Sequence, residues 1–413
     1  MAQFSTIAFY VFSFLSVYVQ VFFIYTFFEN RKKILKKDDE KAIELTSEPS
    51  ITVIVPCWNE EKAIVKTIES LLNLDYPKDK LKIFIIDDGS SDKTWEIIQI
   101  FKDIPNIRLF HKKNGGKYTA LNLGLENLST EFFSCLDADS TVEPKALKKM
   151  LPYFHNQEVM AVIPSALVTK PETMVQRAQK AEYNMAVFFK KVFSLIGGLH
   201  VTPGTLPIYR KKVVDLVGGF RHGHNGEDME MAFRMQKNHL KIVQCHEAVV
   251  YTIPPASIKV LYKQRVRWIS AYLGNILDYK NMIFNKEYGN FAWFSLPSGI
   301  ISILAVVFIF FQSIYSLVEF IAGKIIKIKT VGLASAGSNM DWFTLNFNGV
   351  LFTMIISYIL VTASLFIGNR LAEGKAKFSS DILYFIGIYS FVAPFWLMKA
   401  VYNTAFSKGT SWR

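Results

Sequence analysis

The first 28 residues of the 413-residue chain carry no charged side chain. Few features constrain a fold more, because a stretch such as TIAFYVFSFLSVYVQVFFIYTFF exceeds the about 20 helical residues that cross a hydrocarbon core. Inside that core the backbone polar groups are satisfied only by a helix or a closed barrel. The stretch lacks a positive leader and a small-residue cleavage site, so it reads as a retained span.

Three further uncharged runs follow late in the chain: Tyr288 to Val318, Trp342 to Asn369, and Ile382 to Met398, the last continuing past Lys399 in apolar residues. The first of these is longer than one span needs and is expected to combine an interfacial segment, broken near Pro297, with a crossing helix. Four spans result. Arg31, Lys32, Lys33, Lys36 and Lys37 follow the first span directly, so the positive-inside bias places residues 30 to 287 in the cytoplasm. The later loops, Lys324 to Lys329 and Arg370 to Lys377, are too evenly basic to add to this. An overall apolar content of 51% with 35 Phe is rich for a soluble protein, and the spans account for the excess.

A formal net charge of +12 would permit nucleic-acid binding. No RNA- or DNA-binding motif accompanies it, and the charge is dispersed except for a cluster at the membrane edge, so anionic lipid is the simpler partner and nucleic acid is excluded. Cys57, Cys135 and Cys245 have no paired spacing of the metal-binding kind and are expected to be free thiols.

Between the spans, strands and helices alternate. ITVIVPCW, LKIFIIDDGS, IRLFH and EFFSCLDADS read as strands, and EEKAIVKTIESLLN, DKTWEIIQIF and a stretch from about Tyr118 to Asn127 read as helices. Such alternation implies an α/β fold with a mostly parallel sheet covered on both faces. Ligands of these sheets bind beyond the carboxyl ends of the strands.

Unusual polar residues cluster at those ends. The first strand closes in Pro56, Cys57, Trp58, Asn59, Glu60 and Glu61, the second in Asp87, Asp88, Gly89, Ser90, Ser91 and Asp92, and a later one in Asp137, Ala138 and Asp139. Ser91 or Asp92 serves equally as a helix cap. Asp137 and Asp139 read first as a solvated turn, but on an extended chain they point to one side and offer hard oxygen ligands suited to Mg²⁺ or Mn²⁺.

NGGKYTALNLG supplies a complement, with Gly115 and Gly116 allowing backbone amides near an anion and Lys117 a positive charge. A plain turn explains it as well, and it lacks the P-loop spacing. HNGEDMEMAFRMQ opens a helix near Glu227, and acids such as Asp228 are ordinary in a first turn. On a helix from about Ser257 to Leu277, Gln264, Arg267 and Trp268 of YKQRVRW lie at i, i+3 and i+4 and share a face. Lys263 and Arg265 project elsewhere and are expected to meet lipid head groups.

Taken in order, these pieces resemble the inverting nucleotide-sugar glycosyltransferases of family 2, in particular the membrane-embedded processive group of poly-N-acetylglucosamine, chitin-oligosaccharide, hyaluronan and cellulose synthases. Asp88 matches that family's strand-end acid, Asp137 and Asp139 its Asp-x-Asp pair, Glu227 and Asp228 its Glu-Asp motif, and Gln264, Arg267 and Trp268 its Gln-x-x-Arg-Trp motif. Gly226 stands where many polysaccharide synthases have Thr.

The resemblance implies a Rossmann-like GT-A domain and a division into an amino-terminal span (1–29), a catalytic domain (30–256), an amphipathic interfacial segment with the Gln-x-x-Arg-Trp motif (257–290) and a region of about three spans (291–413). It also implies roles. Asp228 would be the catalytic base, while Pro56, Glu60, Asp88 and Lys117 would contact a UDP-sugar donor. Asp139, assisted by Asp137, would hold Mg²⁺ or Mn²⁺. Gln264 and Arg267 would hold the diphosphate and Trp268 the acceptor sugar.

The expected product is a β-linked polysaccharide, with N-acetylglucosamine the leading sugar. The chain would be a multi-pass plasma-membrane protein, with membrane lipids and possible export or accessory subunits as partners. Single transfer to a lipid-linked acceptor, such as a polyprenyl phosphate or glycolipid, is an alternative. A non-catalytic polysaccharide-export subunit is another, and the intact carboxylates argue against it.

Overall fold

The computed structural model describes residues 2–35, 48–331, 349–374 and 379–406. Two compact units form, one from Glu29–Pro297 with Ser364–Arg413 and one from Met1–Phe28 with Ser298–Ala363. An amino-terminal helix, α1 (Ala2–Leu35), contributes to both.

The larger unit is built on one sheet. Its strands are β1 (Ile51–Cys57), β2 (Leu81–Asp87), β3 (Ile107–His111), β4 (Phe132–Leu136), β5 (Ser140–Val142), β6 (Val159–Val168), β7 (Thr205–Arg210) and β8 (Lys241–Thr252). The helices between them are α2 (Ile64–Leu72), α3 (Thr94–Ile98), α4 (Lys117–Glu126), α5 (Ala146–Met150), α6 (Met174–Leu195), α7 (Lys212–Val217) and α8 (Glu227–Lys237), and α9 (Ile258–Asp278) follows the last strand. The strand order is β3-β2-β1-β4-β7-β6-β8-β5.

β1 is buried along its whole length, and the period of two explains how it serves both faces. Val53 and Val55 pack with Ile64, Ile68 and Leu71 of α2. Ile54 joins Ala120 and Leu121 of α4 on the opposite face. Helices on both sides leave no polar face, hence the near-continuous apolar strands. Pro56 is tolerated here because the pairing of β1 with β4 stops at Ile54, so its missing N–H interrupts no ladder on that side.

The sheet is mostly parallel, as expected, with antiparallel pairing at two places. β1, β2, β3 and β4 pair in parallel, but β7 runs antiparallel between β4 and β6. The pair β6–β8 is again parallel, and the short β5 is antiparallel on β8. The sheet is therefore mixed, with the parallel half carrying the first three helices.

Caps fix two long helices of the larger unit. Thr173 accepts from the Gln176 N–H at 3.2 Å and the Gln176 side chain returns to the Thr173 N–H at 3.1 Å, a reciprocal capping box at the start of α6. Ser257 caps α9.

Three more helices complete the described residues: α10 (Leu296–Val331), α11 (Gly349–Glu373) and α12 (Asp381–Ala405). Four helical segments are long and apolar enough to cross a membrane: Ile7–Ile34, Phe291–Thr330, Ile355–Glu373 and Asp381–Ala405. The four uncharged runs of the sequence thus reappear as helix. Residues 342 to 348 of the third run, with Lys36, Lys37 and residues 375 to 377, lie outside the described residues.

Two expectations change. Pro297 causes no break, because a π-helical turn at Phe291–Ser295, in which the Leu296 N–H reaches back to Phe291 O, leads straight into α10 and takes up the irregularity. Lys324 to Lys329 are helical and belong to α10 rather than to a loop. In the smaller unit α1 and α10 meet through Phe12 and Phe308, whose ring centroids are 5.2 Å apart. In the larger unit Gly368 of α11 packs on α6 so closely that an added Cβ would stand 2.5 Å from the Asn184 carbonyl oxygen.

Candidate active site

Lys117, the first residue of α4, ties together two distant acids. Its Nζ lies 2.7 Å from Asp137 Oδ1 and 2.7 Å from Glu227 Oε1. Burial opposes the charge on Lys117, but Asp137 and Glu227 outweigh it and keep the ammonium well above its usual range. Burial likewise pushes Glu227 up, and Lys117 reverses the sign, leaving that carboxyl below its ordinary value.

Asp228 and Asp139 respond the other way. Burial, and then the charge of Glu227, push Asp228 up to about 6. Burial, followed by the charges of Asp137 and Glu60, pushes Asp139 up to about 6. Burial first, and neighbouring acids second, thus hold these two carboxyls up, with Lys117 offsetting only part of the effect.

Asp137 and Asp139 do not alternate along a strand, as the sequence suggested. β4 ends at Leu136, and the chain turns so that the Ser140 N–H donates to Asp137 O at 3.0 Å. The cause is local: the Asp137 N–H is given to Gly204 O at 2.8 Å, which closes the ladder with β7.

Gly204 leaves room for the Asp137 carboxylate. A Cβ on it would stand 2.6 Å from Asp137 Oδ1, inside any tolerable contact. Two residues earlier, the Thr202 hydroxyl donates to Asp228 O at 2.8 Å. The VTPGT segment thus touches both acids, although sequence reasoning singled out none of its residues.

Asp88 is buried and occupied. It accepts from Lys112 Nζ at 2.5 Å, from the Gly115 N–H at 3.1 Å and from the Gly116 N–H at 2.8 Å. The two glycine amides that were expected to face an incoming anion are satisfied by this carboxylate, and Lys117 turns to Asp137 and Glu227 rather than to an open phosphate site. Gly89, at φ +72°, makes the turn possible, since a Cβ there would lie 2.7 Å from the Asn114 amide nitrogen.

Near the end of β1 the Glu60 N–H donates to Thr94 Oγ1 at 2.8 Å, and Asp92 accepts from the Thr94 N–H at 2.9 Å just ahead of α3. Pro56 lies within β1 beside Ile86 of β2. The β1 and β2 loops are laced together by side-chain bonds on the side where Glu60 and Asp88 stand.

On α9, Arg267 Nη1 donates to Asn225 O at 3.0 Å, two residues before Glu227. His224 and Asn225 both adopt left-handed conformations, at φ 57° and 64°, and Arg267 braces this turn. Its charge also helps hold Glu227 down. Gln264 and Trp268 are half-buried on the same helix, and Lys263 is exposed.

Arg265 overturns the expectation made for it. It is buried, with its Nη2 2.5 Å from Glu182 Oε2 on α6 and 3.3 Å from the Tyr389 hydroxyl on α12. Lipid head groups are out of its reach. Burial disfavours its charge, and Glu182 more than restores it.

A hard divalent cation fits this set of donors only in part. Asp137 and Asp139 supply carboxylate oxygens of the right chemistry, and the charges of Asp137 and Glu60, which add to burial in raising Asp139, are ones a cation would relieve. Among the described residues no group of three or more His, Cys, Asp or Glu is placed to hold a metal by itself. That suits an ion completed by substrate phosphates, as Mg²⁺ commonly is.

Comparison with known proteins follows from this geometry. Residues 52–218, the segment from β1 through α7, match the model of Glycosyl transferase family 2. The chain carries a family 2 glycosyltransferase domain. The match stops short of Glu227, Asp228 and the α9 motif.

A poly-beta-1,6-N-acetyl-D-glucosamine synthase of Staphylococcus epidermidis is 30% identical over 262 residues, which are 62% of this chain and 62% of that protein. A beta-monoglucosyldiacylglycerol synthase of Trichormus variabilis is 28% identical over 246 residues, 58% of this chain and 53% of that protein. The aligned region therefore spans less than two thirds of either relative.

Among solved structures, a mannosyltransferase of Pyrobaculum calidifontis in complex with GDP-Man and Mn²⁺ superposes with a TM-score of 0.60 at 17% identity, covering 96% of this chain and 99% of that one. The chain shares that fold, a GT-A type sheet with long apolar helices.

Proposed function

We propose that the glycosyltransferase transfers a sugar, N-acetylglucosamine in the first instance, from a UDP donor to the end of a growing β-linked polysaccharide by a single inverting displacement. The observation that carries this reading is the Lys117 bridge. It joins the donor-side acid Asp137 to the first turn of α8, where Asp228 stands, and so brings a candidate base to a candidate diphosphate site.

Asp228 takes the proton of the acceptor hydroxyl as that oxygen bonds to the anomeric carbon and the bond to UDP breaks. Its raised value, about 6, leaves it ionised at neutral pH yet basic enough to accept the proton. The Thr202 bond to the Asp228 carbonyl and the Met229 N–H bond to Asp228 Oδ1, at 2.8 Å each, fix its aim. Arg267 lends its positive charge to the diphosphate, and Lys117 keeps Asp137 and Glu227 from repelling it. Asp88, Glu60 and Pro56 line the uridine side, and Trp268 gives the acceptor ring an apolar platform. A Mg²⁺ or Mn²⁺ ion held by Asp139 and Asp137 would stabilise negative charge developing on the departing diphosphate.

The four apolar helices, with the basic residues after the first, support a site at the inner face of the plasma membrane. Membrane lipids then surround the protein, and an export subunit could receive the product. A second reading has one specific observation in its favour. A relative of similar identity is by name a glucolipid synthase, so a single transfer to a lipid acceptor is the competing outcome.

Membranes containing the protein, incubated with labelled UDP-sugars and GDP-mannose and followed by product sizing and glycosidase digestion, separate the two. Long β-linked chains support the polysaccharide reading. A product that stays lipid-soluble and carries one sugar replaces it.

A further inference from the structure

Arg265 sits at the meeting point of three helices. Its guanidinium, with only 4% of the side chain exposed, binds Glu182 of α6, and the Tyr389 hydroxyl of α12 donates to the same Glu182 oxygen at 2.5 Å. The guanidinium carbon stands 4.3 Å from the centre of the Trp268 ring, and Nη1 reaches Gln264 Oε1 at 3.4 Å. Tyr389 in turn packs edge-on against Trp396, with ring centroids 5.3 Å apart.

An apolar cluster of similar volume would hold three helices as well as a buried ion pair does, so stability alone does not explain this one. A planar cation clamped on one side and laid over an indole on the other does something an apolar cluster would not: it fixes the ring.

We propose that Arg265 is a positioning residue, fastened by Glu182 and Tyr389, which sets the Trp268 ring for the acceptor sugar and makes acceptor use depend on the contact between α12 and the catalytic domain. The inference rests on the reading of Trp268 as the acceptor platform. It assigns work to Glu182 and Tyr389, neither of which belongs to a recognised motif of the sequence.

The test uses the full chain in lipid nanodiscs, with UDP-N-acetylglucosamine, or the donor identified by the panel, and a β-linked tetramer of the same sugar as acceptor. Arg265→Lys keeps a cation for Glu182 but loses the planar stack. Acceptor KM should rise about tenfold, with UDP affinity unchanged. Tyr389→Phe should move acceptor KM the same way by a smaller factor. In a Trp268→Ala background Arg265→Lys should add no further change to acceptor KM.

A purely structural role gives a different pattern, in which less folded protein is recovered but acceptor KM per folded molecule is unaltered, and that result overturns the proposal. Should Arg265→Lys fail to fold, Glu182→Gln and Tyr389→Phe carry the same comparison. If Trp268→Ala itself leaves acceptor KM unchanged, the platform reading falls and the clamp with it. If Trp268→Ala raises acceptor KM while Arg265→Lys does not, the clamp alone is refuted.

Discussion

Lys117 at the start of α4 stands 2.7 Å from Glu227 at the start of α8, and with its contact to Asp137 this ion pair ties the candidate active-site acids into a single group. The side chain of Lys117 is 16% exposed and that of Glu227 5%. A pair so little exposed to solvent is costly to break from one side, because the other charge is left in place.

Lys117→Met should therefore destabilise the larger unit by roughly 3–5 kcal/mol and strip the countercharge from Asp137. Thermal unfolding of solubilised protein measures the first effect and donor affinity the second. Unchanged unfolding would mean that solvent reaches Glu227 and that the bridge is of little consequence.

Gly204→Ala should be damaging although it adds one methyl group. The new Cβ would fall 2.6 Å from Asp137 Oδ1, so the carboxylate must move. A shift of that order at a substrate-positioning group costs about 100-fold in turnover. Initial rates against donor concentration provide the measurement, with the folded state checked in parallel. Normal rates would place Asp137 outside the donor site.

Divalent metal should be required. Chelator-treated membranes should lose transfer and regain it with Mn²⁺ or Mg²⁺, and Asp139→Ala should not respond to the addition. Full turnover in chelator, or in Asp139→Ala, would remove the metal assignment.

The pH profile should carry the signature of Asp228. A base must be unprotonated, and burial with the charge of Glu227 raises this carboxyl to about 6. At saturating metal, kcat should therefore decline about tenfold per pH unit below that point. The same shift makes the folded state hold more protons than the unfolded chain in the interval above the usual value of 3.8, so Asp228 lowers stability as pH rises through it. An acid limb near 4 would mean that Asp228 is better solvated than its surroundings suggest.

Much of this was legible in the sequence, for physical reasons that differ by residue. Asp88, Asp137 and Asp139 stood out because strand ends hold few acids by chance in so apolar a sheet, and Asp228 because it opens a helix. The long apolar helices were plain from charge alone. β7 was not, because VTPGTLPIYR carries two prolines and a glycine and reads as loop until its antiparallel partners are known.

Arg265 was the clearest misreading. Its position just ahead of an apolar run suggested lipid, whereas its partners lie 83 residues before it and 124 residues after it, where no local pattern points to them. Glu182, on a helix of mixed polarity, gave no signal of its own. Gly204 and Thr202 lay in a segment flagged only by place, since the need for a glycine appears once the Asp137 carboxylate is seen against it.

Asp228→Asn tests the central claim most directly, because it removes the proton acceptor with almost no change of shape. The purified, membrane-reconstituted variant is assayed for sugar transfer at neutral pH and, in the same preparation, for UDP binding. Transfer should fall by about 100- to 10,000-fold, with UDP affinity close to that of the parent. Turnover within a few-fold of the parent, in protein that binds UDP normally, would contradict the account and move the search for the base to Glu227.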